Sequence, residues 1–470
     1  NTQGVFQRDA KGAGVKHWYK KGTNLLIKKL TLTNGSLDSE NEDHQSGIKQ
    51  RFFYTYNEDA ALIQVVIDDG EETDPKDFHG VTERKITKIS PKQEIPHVGA
   101  PEVIEQKYSS LDGESLLKRT IHHFDLLGNI TSQEVYDSNK VLCYTINTGY
   151  THGLLIFETD PMGNETHYSY DANQNLTTET HSDTGISVEY GYDLRNRLVS
   201  TVEKDRMGNR LKTQIAYDAA GYTCKVIDPF GNQTLYENDS LGRPIRITYP
   251  ETSSGWHSSV KPTHTYTYDL FDNQISIQSR GITLTKSYNV KGKPTKINHL
   301  DGTKEVFRYD NGGNLHHHYR RDGILEVFEY DYMGRPTKLA YYQRGNSSSS
   351  FKETSCQYST FHKISETDAQ SKKTMYTYDK AGRLTTLEKE NQKVEFIYDS
   401  LGRTQSIKTG KSDFTLEIKD YDLLGRVIEE RTEDSLGRTL IKKKFLYNDA
   451  GELAKLIGYP QNQESLLMQY

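Results

Sequence analysis

The side chains best suited to chemistry in this chain are few, and each has a plainer role available. His122 and His123 are adjacent, and two imidazoles could share a metal ion. Neighbouring side chains on a strand point to opposite faces, however, so the pair is expected to be surface histidines. Gly410-Lys411-Ser412 matches the end of a phosphate-binding loop, but the upstream glycine is missing because position 405 is Gln405. Cys143, Cys224 and Cys356 lie far apart without a Cys-x-x-Cys pair, which excludes a disulfide framework and a thiolate zinc motif. His-Glu-x-x-His and Gly-x-Ser-x-Gly are absent. Asn129-Ile-Thr131, Asn164-Glu-Thr166 and Asn232-Gln-Thr234 fit the glycosylation acceptor pattern. They follow turn glycines, and matter only if the parent protein passes through a eukaryotic secretory route. No catalytic, cofactor-binding or metal-binding residue is therefore assigned, and no cofactor is expected.

Composition narrows the class further. The 470 residues are too many for one ordinary compact core, so several domains or a repeat architecture are expected. Only 34% are apolar and mean hydropathy is −0.79, yet there are 32 Tyr, 15 Phe and just 12 Pro, which is not a disordered composition. A chain rich in aromatics but short of aliphatics suits a thin sheet wetted on both faces. Net charge is −6, with no concentrated basic stripe, so nucleic acid is not an expected partner. The most basic run, His316–Arg321 (HHHYRR), reads as an exposed strand beside a turn. No apolar run is long enough to span a bilayer. The chain begins at Asn1 rather than Met, as expected of a fragment, so the lack of a targeting signal is uninformative about the parent.

What organises these residues is self-similarity. Tyr-[Asp/Asn]-x-x-Gly begins at Tyr217, Tyr288, Tyr309, Tyr330, Tyr378, Tyr398, Tyr421 and Tyr447. Tyr170, Tyr192 and Tyr268 open the same motif with Gln174, Asn196 and Asp272 at the glycine position, and Phe124 and Asn238 open it without the tyrosine. Successive starts lie mostly 20 to 26 residues apart, the mark of a repeat architecture. An aromatic often stands two residues before the motif tyrosine, as in Phe307/Tyr309, Tyr376/Tyr378 and Phe396/Tyr398, which puts both rings on one face of a strand. The following Asp starts a turn by accepting backbone N–H bonds, and Gly supplies the positive φ that closes it. Asn196 and Asp272 are the non-glycine types that best tolerate that region. A second turn signal falls midway, as at Asp205–Gly208, Asp228–Gly231, Asp301-Gly302, Asp322-Gly323, Asn391-Gln392 and Asp434–Gly437. Each unit is therefore one β-hairpin. Tyr54–Leu62 fits as a diverged copy with Ala60 for Gly, Asp68–Gly80 reads as a loop or inserted turn, and loops are expected at Pro250–Pro262 and Arg344–Glu353.

Tyr378-Asp-Lys-Ala-Gly-Arg-Leu384 and Tyr398-Asp-Ser-Leu-Gly-Arg403 carry the signature of the YD repeat. The chain resembles the Rhs/YD-repeat family, which includes bacterial Rhs proteins, Tc toxin B and C components and teneurins. The resemblance is clear from about Phe124 to Gly451 and extends weakly to about Arg51. It implies hairpins coiled into a hollow shell, which in bacterial members encloses a C-terminal toxin released by an aspartyl self-cleavage. The family's DPxGL-type cleavage motif is not found. Asp160-Pro-Met-Gly-Asn164 and Asp228-Pro-Phe-Gly-Asn232 carry Asn where Leu is expected and sit at turns, so their aspartates are expected to be structural.

The expected fold is all-β: tandem hairpins forming one long antiparallel sheet coiled into an open shell or cocoon wall. Residues 1–100 are expected to hold diverged repeats and loops of the same strip, and residues 101–470 the YD-repeat shell segment. About fourteen hairpins would give about 28 strands, a strip roughly 130 Å long at ~4.8 Å per strand. The tyrosine rings are expected to form a ladder between neighbouring hairpins. The expected function is a non-catalytic shell segment enclosing a C-terminal toxin or cargo domain of the same parent chain; the alternative is a surface binding module for a glycan or a protein. A delivery apparatus or surface glycan is a further candidate partner, in a secreted or envelope-associated bacterial protein.

Overall fold

The structure, a computed structural model, describes residues 3–8, 14–32, 47–251, 261–343, 349–390, 392–411, 413–448, 451–459 and 465–469. Asn391, Ser412, residues 449–450, and most of the loops expected within 250–262 and 344–353 lie outside them. Two units are formed: Asn1–Asn164 with Glu329–Lys338 and Glu353–Tyr470, and Glu165–Phe328 with Leu339–Lys352. Thirty-eight strands, from Gln3–Arg8 to Ser465–Gln469, and no helix occur among the described residues. Within each unit successive strands pair antiparallel with their neighbours in sequence, as Leu384–Lys389 does with Gln392–Tyr398, and that strand in turn with Thr404–Thr409. The strand count exceeds the expected 28. Eleven strands end before Glu165, and several of their hairpins, such as Pro101–Ser110 with Gly113–Phe124, turn without a Tyr-Asp signature.

Apolar burial is sparse. Among the described residues it gathers into two small clusters in the N-terminal strands, Trp18, Leu30, Leu32 and Ile48 in one, Phe53, Val66 and Ile86 in the other. Elsewhere most strand residues are half-buried, so polar bonding must hold the sheet in place of a thick core.

The turn at Tyr398–Arg403 shows how. Gly402 N–H donates to the Asp399 carbonyl and Asp399 N–H to the Arg403 carbonyl, both at 2.9 Å. The Asp399 carboxylate accepts the amides of Leu401 (3.0 Å) and Arg403 (2.8 Å) through Oδ1, and Arg403 Nε (2.7 Å) through Oδ2. Closing the turn on one aspartate drives the fourth residue into the left-handed region, where Gly402 has φ 82°. The substituted positions obey the same geometry: Ala60, Gln174, Asn196 and Asp272 have φ of 62°, 65°, 60° and 67°. Where Asn replaces the final Arg, as at Asn129, Asn175 and Asn273, its amide reaches the same Oδ2 at 2.9 Å.

Tyrosine then ties each unit to the one before. Tyr421 donates its hydroxyl to the Thr404 carbonyl (2.6 Å), Tyr398 to Leu384 (2.7 Å), Tyr378 to Lys363 (2.8 Å), Tyr309 to Pro294 (2.7 Å) and Tyr56 to Leu26 (3.0 Å). At Asn238, which stands where the tyrosine is missing, the side-chain amide makes the equivalent bond to the Thr223 carbonyl (2.9 Å). The preceding turn's arginine lies on the ring: Arg403 over Tyr421 at 4.9 Å, Arg383 over Tyr398 at 4.9 Å, Arg426 over Tyr447 at 4.5 Å. Arg403 also donates to the Asp422 carbonyl of the next turn at 3.0 Å. The ladder expected to run ring on ring is thus made at these rungs by hydroxyls and guanidiniums.

Replacing Gly402 separates strain from crowding, because the space around it is open: an added Cβ would come no nearer than 4.0 Å to the Arg383 side chain. Gly402→Asn should cost roughly 1–2 kcal/mol and Gly402→Val distinctly more, since a β-branched residue is disfavoured at positive φ. Thermal denaturation of both variants checks this, and equal losses would refute the turn assignment. Tyr398→Ala should raise hydrogen exchange in the units spanning residues 378–421 and leave distant units unchanged.

Candidate functional site: a seam between N-terminal strands and later repeats

In the first unit a row of charge crosses three strands. Arg51 pairs in register with Asp68, and Asp68 with Arg84, one row beyond Phe53, Val66 and Ile86. Arg51 and Asp68 are 0% exposed. Asp68 takes Arg51 Nε on one oxygen (2.5 Å) and Arg84 Nε on the other (2.8 Å). Further guanidinium protons go to the loop that follows: Arg51 donates to the carbonyls of Glu72 (2.5 Å), Asp74 (3.1 Å) and Asp77 (3.0 Å), and Arg84 to that of Asp77 (2.6 Å). Gly70 has to be glycine, since any Cβ would sit inside the Arg51 guanidinium. The stretch read as a loop or inserted turn is therefore wound around two buried cations. A lone buried charge is costly, whereas these are paired and hydrogen-bonded.

The loop delivers Glu83, itself buried, to a repeat turn 279 residues further along. His362 Nε2 lies 2.5 Å from one Glu83 oxygen and Lys85 Nζ 2.7 Å from the other. His362 stacks on Tyr378 at 4.3 Å, so it occupies the place that arginine takes in other turns. Contacts continue along the same edge: Thr360 donates to the Lys49 carbonyl (2.8 Å), Lys380 pairs with Asp112 (3.0 Å), and Ser138 N–H donates to the Ser400 carbonyl (3.2 Å). An added Cβ at Gly382 would meet the Glu83 carboxylate at 2.5 Å, so the edges are in close contact there. A cleft of about 590 Å³ opens beside this line, with Asp69, Thr82, Tyr332, Arg335, Tyr358 and Thr360 on its walls.

Two aspartates of the seam are held below the usual carboxylate range. For Asp112 the cause is Lys380, by hydrogen bond and charge. For Asp137, burial pushes upward but is outweighed by hydrogen bonds from Ser400 and from the amides of Val141 and Asn139. Cys143 nearby is pushed up by burial and by Asp137.

The residues singled out from sequence do not assemble. His122 Nδ1 faces the Pro101 carbonyl (2.9 Å) while His123 Nε2 faces Glu134 (3.3 Å). Lys411 pairs with Glu388 (3.0 Å), and the three cysteines are unpaired. Asp160 and Asp228 each spend their carboxylates on their own turn amides and on Asn164 or Asn232. Among the described residues no group of three or more His, Cys, Asp or Glu is placed to hold a metal ion. Sequence reasoning missed Arg51, Asp68, Arg84, Glu83 and His362. One signal was available: Arg51 shares the parity of the buried Phe53 on its strand, a core-facing place for a charge.

Asp68→Asn should cost roughly 3–5 kcal/mol, because two buried guanidiniums lose their anion; chemical denaturation measures it, and a loss under 1 kcal/mol would contradict the buried network. A depressed aspartate stabilises the fold above its unfolded pKa, near ~3.9, and ceases to as pH falls through the lower folded value. The melting temperature should therefore hold from neutral pH to about pH 4 and fall below it, and Asp137→Asn, at the buried one of the two, should flatten that fall.

Residues 150–186 match the RHS Repeat family. Double-stranded DNA deaminase toxin A of Burkholderia cenocepacia is 26% identical over 144 residues, an alignment covering 26% of this chain and 9% of that protein. The crystal structure of TcdB2-TccC3-TEV superposes with a TM-score of 0.67 at 12% identity, over 97% of this chain and 30% of that one. TcdB2-TccC3-Cdc42 gives 0.63 at 12% identity, over 97% and 26%. The chain thus spans less than a tenth of that toxin and under a third of these solved chains. Residues 150–186 thus carry an RHS repeat, and the chain shares the fold of the TcdB2-TccC3 structures.

Proposed function

We propose that this chain is a non-catalytic wall segment of a larger protein that encloses a C-terminal toxin or other cargo domain. The observation that carries the reading is the seam. Between Lys49 and Ser400 the strip bonds back onto its own edge through backbone, serine, threonine and ion-pair contacts, over sequence separations of 311, 279 and 268 residues. A wall must be sealed where its edges meet, whereas a free adhesive strip has no need of a buried glutamate and a replaced arginine at that place. The shell fold and the toxin relative support the same assignment, and the aspartates and histidines described above are occupied with turns and pairings.

Electron microscopy of the full parent protein with its natural C-terminus tests the proposal. The expected result is density enclosed by a hairpin-built wall that includes this segment. A parent with an empty or solid interior, or one that loses catalytic turnover when residues of this segment are replaced, would overturn it.

A further inference from the structure

In the second unit the strands from Arg210–Tyr217 to Leu315–Tyr319 sort their cations onto one face of the sheet. Register carries that face from strand to strand: Gln214 pairs with Ile227, Lys225 with Leu235, Glu237 with Arg246, Arg246 with Thr265 and Thr265 with Gln278. Further along, Ser276 pairs with Thr285, Thr285 with Asn298, Lys296 with Val306 and Val306 with Tyr319. Alternation then places Arg210, Lys212, Lys225, Arg246, Lys296, Lys304 and Arg308 on this face, with Glu237 as its one carboxylate among the residues of these strands. The opposite face of the same strands sets Lys286 against Glu305, one charge of each sign. Arg210 is matched by Glu189 (3.2 Å) and Arg246 by Glu237 (3.3 Å). Lys212, Lys225, Lys296, Lys304 and Arg308 have no carboxylate within ion-pair distance among the described residues. A chain of net charge −6 thus carries a basic face, and no run of sequence shows it because its cations come from scattered strands.

The unmatched cations form two groups, each at a depression. Lys212 and Lys225 stand at one of about 380 Å³, with Ser200, Gln214 and Ile227. Lys304 and Arg308 stand at another of about 580 Å³, with Val306 and Tyr319, and Lys296 is the register partner of Val306. Five strands, from Gln233–Asn238 to Ile282–Tyr288, lie between Lys225 and Lys296, so at ~4.8 Å per strand the groups are about 30 Å apart along the sheet. Apart from the Arg246–Glu237 pair, the interval is mostly hydroxyls and amides: Thr248, Thr265, Thr267, Ser276, Gln278 and Thr285. We infer that this face binds an extended acidic polypeptide, with one carboxylate-bearing block at each depression and the backbone over the hydroxyls between. An extended chain advances ~3.3 Å per residue, which sets the blocks about nine residues apart. Duplex nucleic acid fits worse: its charges follow at ~1.7 Å and would cross the whole interval without an unmatched cation. On these strands the face also offers only His317 and Tyr319 as rings for bases. The site is independent of the wall assignment and can fail without it.

Fluorescence anisotropy on the 470-residue chain tests the site with a labelled peptide carrying two short polyglutamate blocks about nine residues apart. A peptide with one block and a duplex DNA of similar length serve as comparisons. The expected result is saturable binding of the two-block peptide, weakened by salt and about tenfold or more tighter than that of the one-block peptide. Lys212→Gln/Lys225→Gln and Lys304→Gln/Arg308→Gln should each lower the two-block affinity to the one-block level, while Lys286→Gln on the opposite face leaves it unchanged. Circular dichroism and melting temperature establish that each variant folds. No binding of the two-block peptide at millimolar concentration, no gain over one block, an affinity unchanged in the folded double variants, or tighter binding of the duplex would overturn the inference.

Discussion

Everything in this fold depends on one interaction repeated along the chain: a turn aspartate that fixes an arginine, and a tyrosine from the next turn that lies under that arginine and hydrogen-bonds to the backbone just beyond it. A sheet with 34% apolar residues cannot be held by a thick core. Each hairpin is instead stapled to the previous one at its turn. Arg403 belongs at once to Asp399 of its own turn, to the Asp422 carbonyl of the next and to the Tyr421 ring between them. Stability in such an array accrues from neighbour to neighbour. This explains why the tyrosine recurs so regularly, and why Asn238 survives in its place: the essential element is a donor that reaches the preceding carbonyl.

The seam departs from this rule in an instructive way. At Tyr358 the turn contains Ser359 for aspartate and His362 for arginine. Without its usual carboxylate partner, the residue over Tyr378 is released to bond outward to Glu83. The cost of presenting a buried Glu83 is met upstream, where Arg51, Asp68 and Arg84 organise the loop that carries it. Specialised residues at one turn and a buried ion network far away in sequence thus form one device.

Turn chemistry is local, so it was legible without a structure. The left-handed positions were correctly placed even where Ala60, Asn196 and Asp272 replace glycine. Legibility ended where the pattern loses its letters. Tyr136-Asp137-Ser-Asn-Lys140 is a full repeat turn, with Lys140 at φ 63°, and escaped notice because lysine stands at the glycine position. The ladder was anticipated but its chemistry was not, because arginine follows the tyrosine of its own unit in sequence and lies on the tyrosine of the next. The seam was invisible for a stronger reason. Its partners are separated by 268 to 311 residues in the hydrogen bonds from Lys380, His362 and Thr360, and no periodicity encodes which turn meets which strand.

The staple is tested most directly by a double-mutant cycle on Arg403→Met and Tyr421→Leu, with Arg403→Met and Tyr447→Leu as the control pair two turns apart. The adjacent pair should couple by about 0.5–1 kcal/mol in denaturant unfolding, while the distant pair should add without coupling. Additivity in the adjacent pair, or equal coupling in both, would contradict a fold held together from turn to turn.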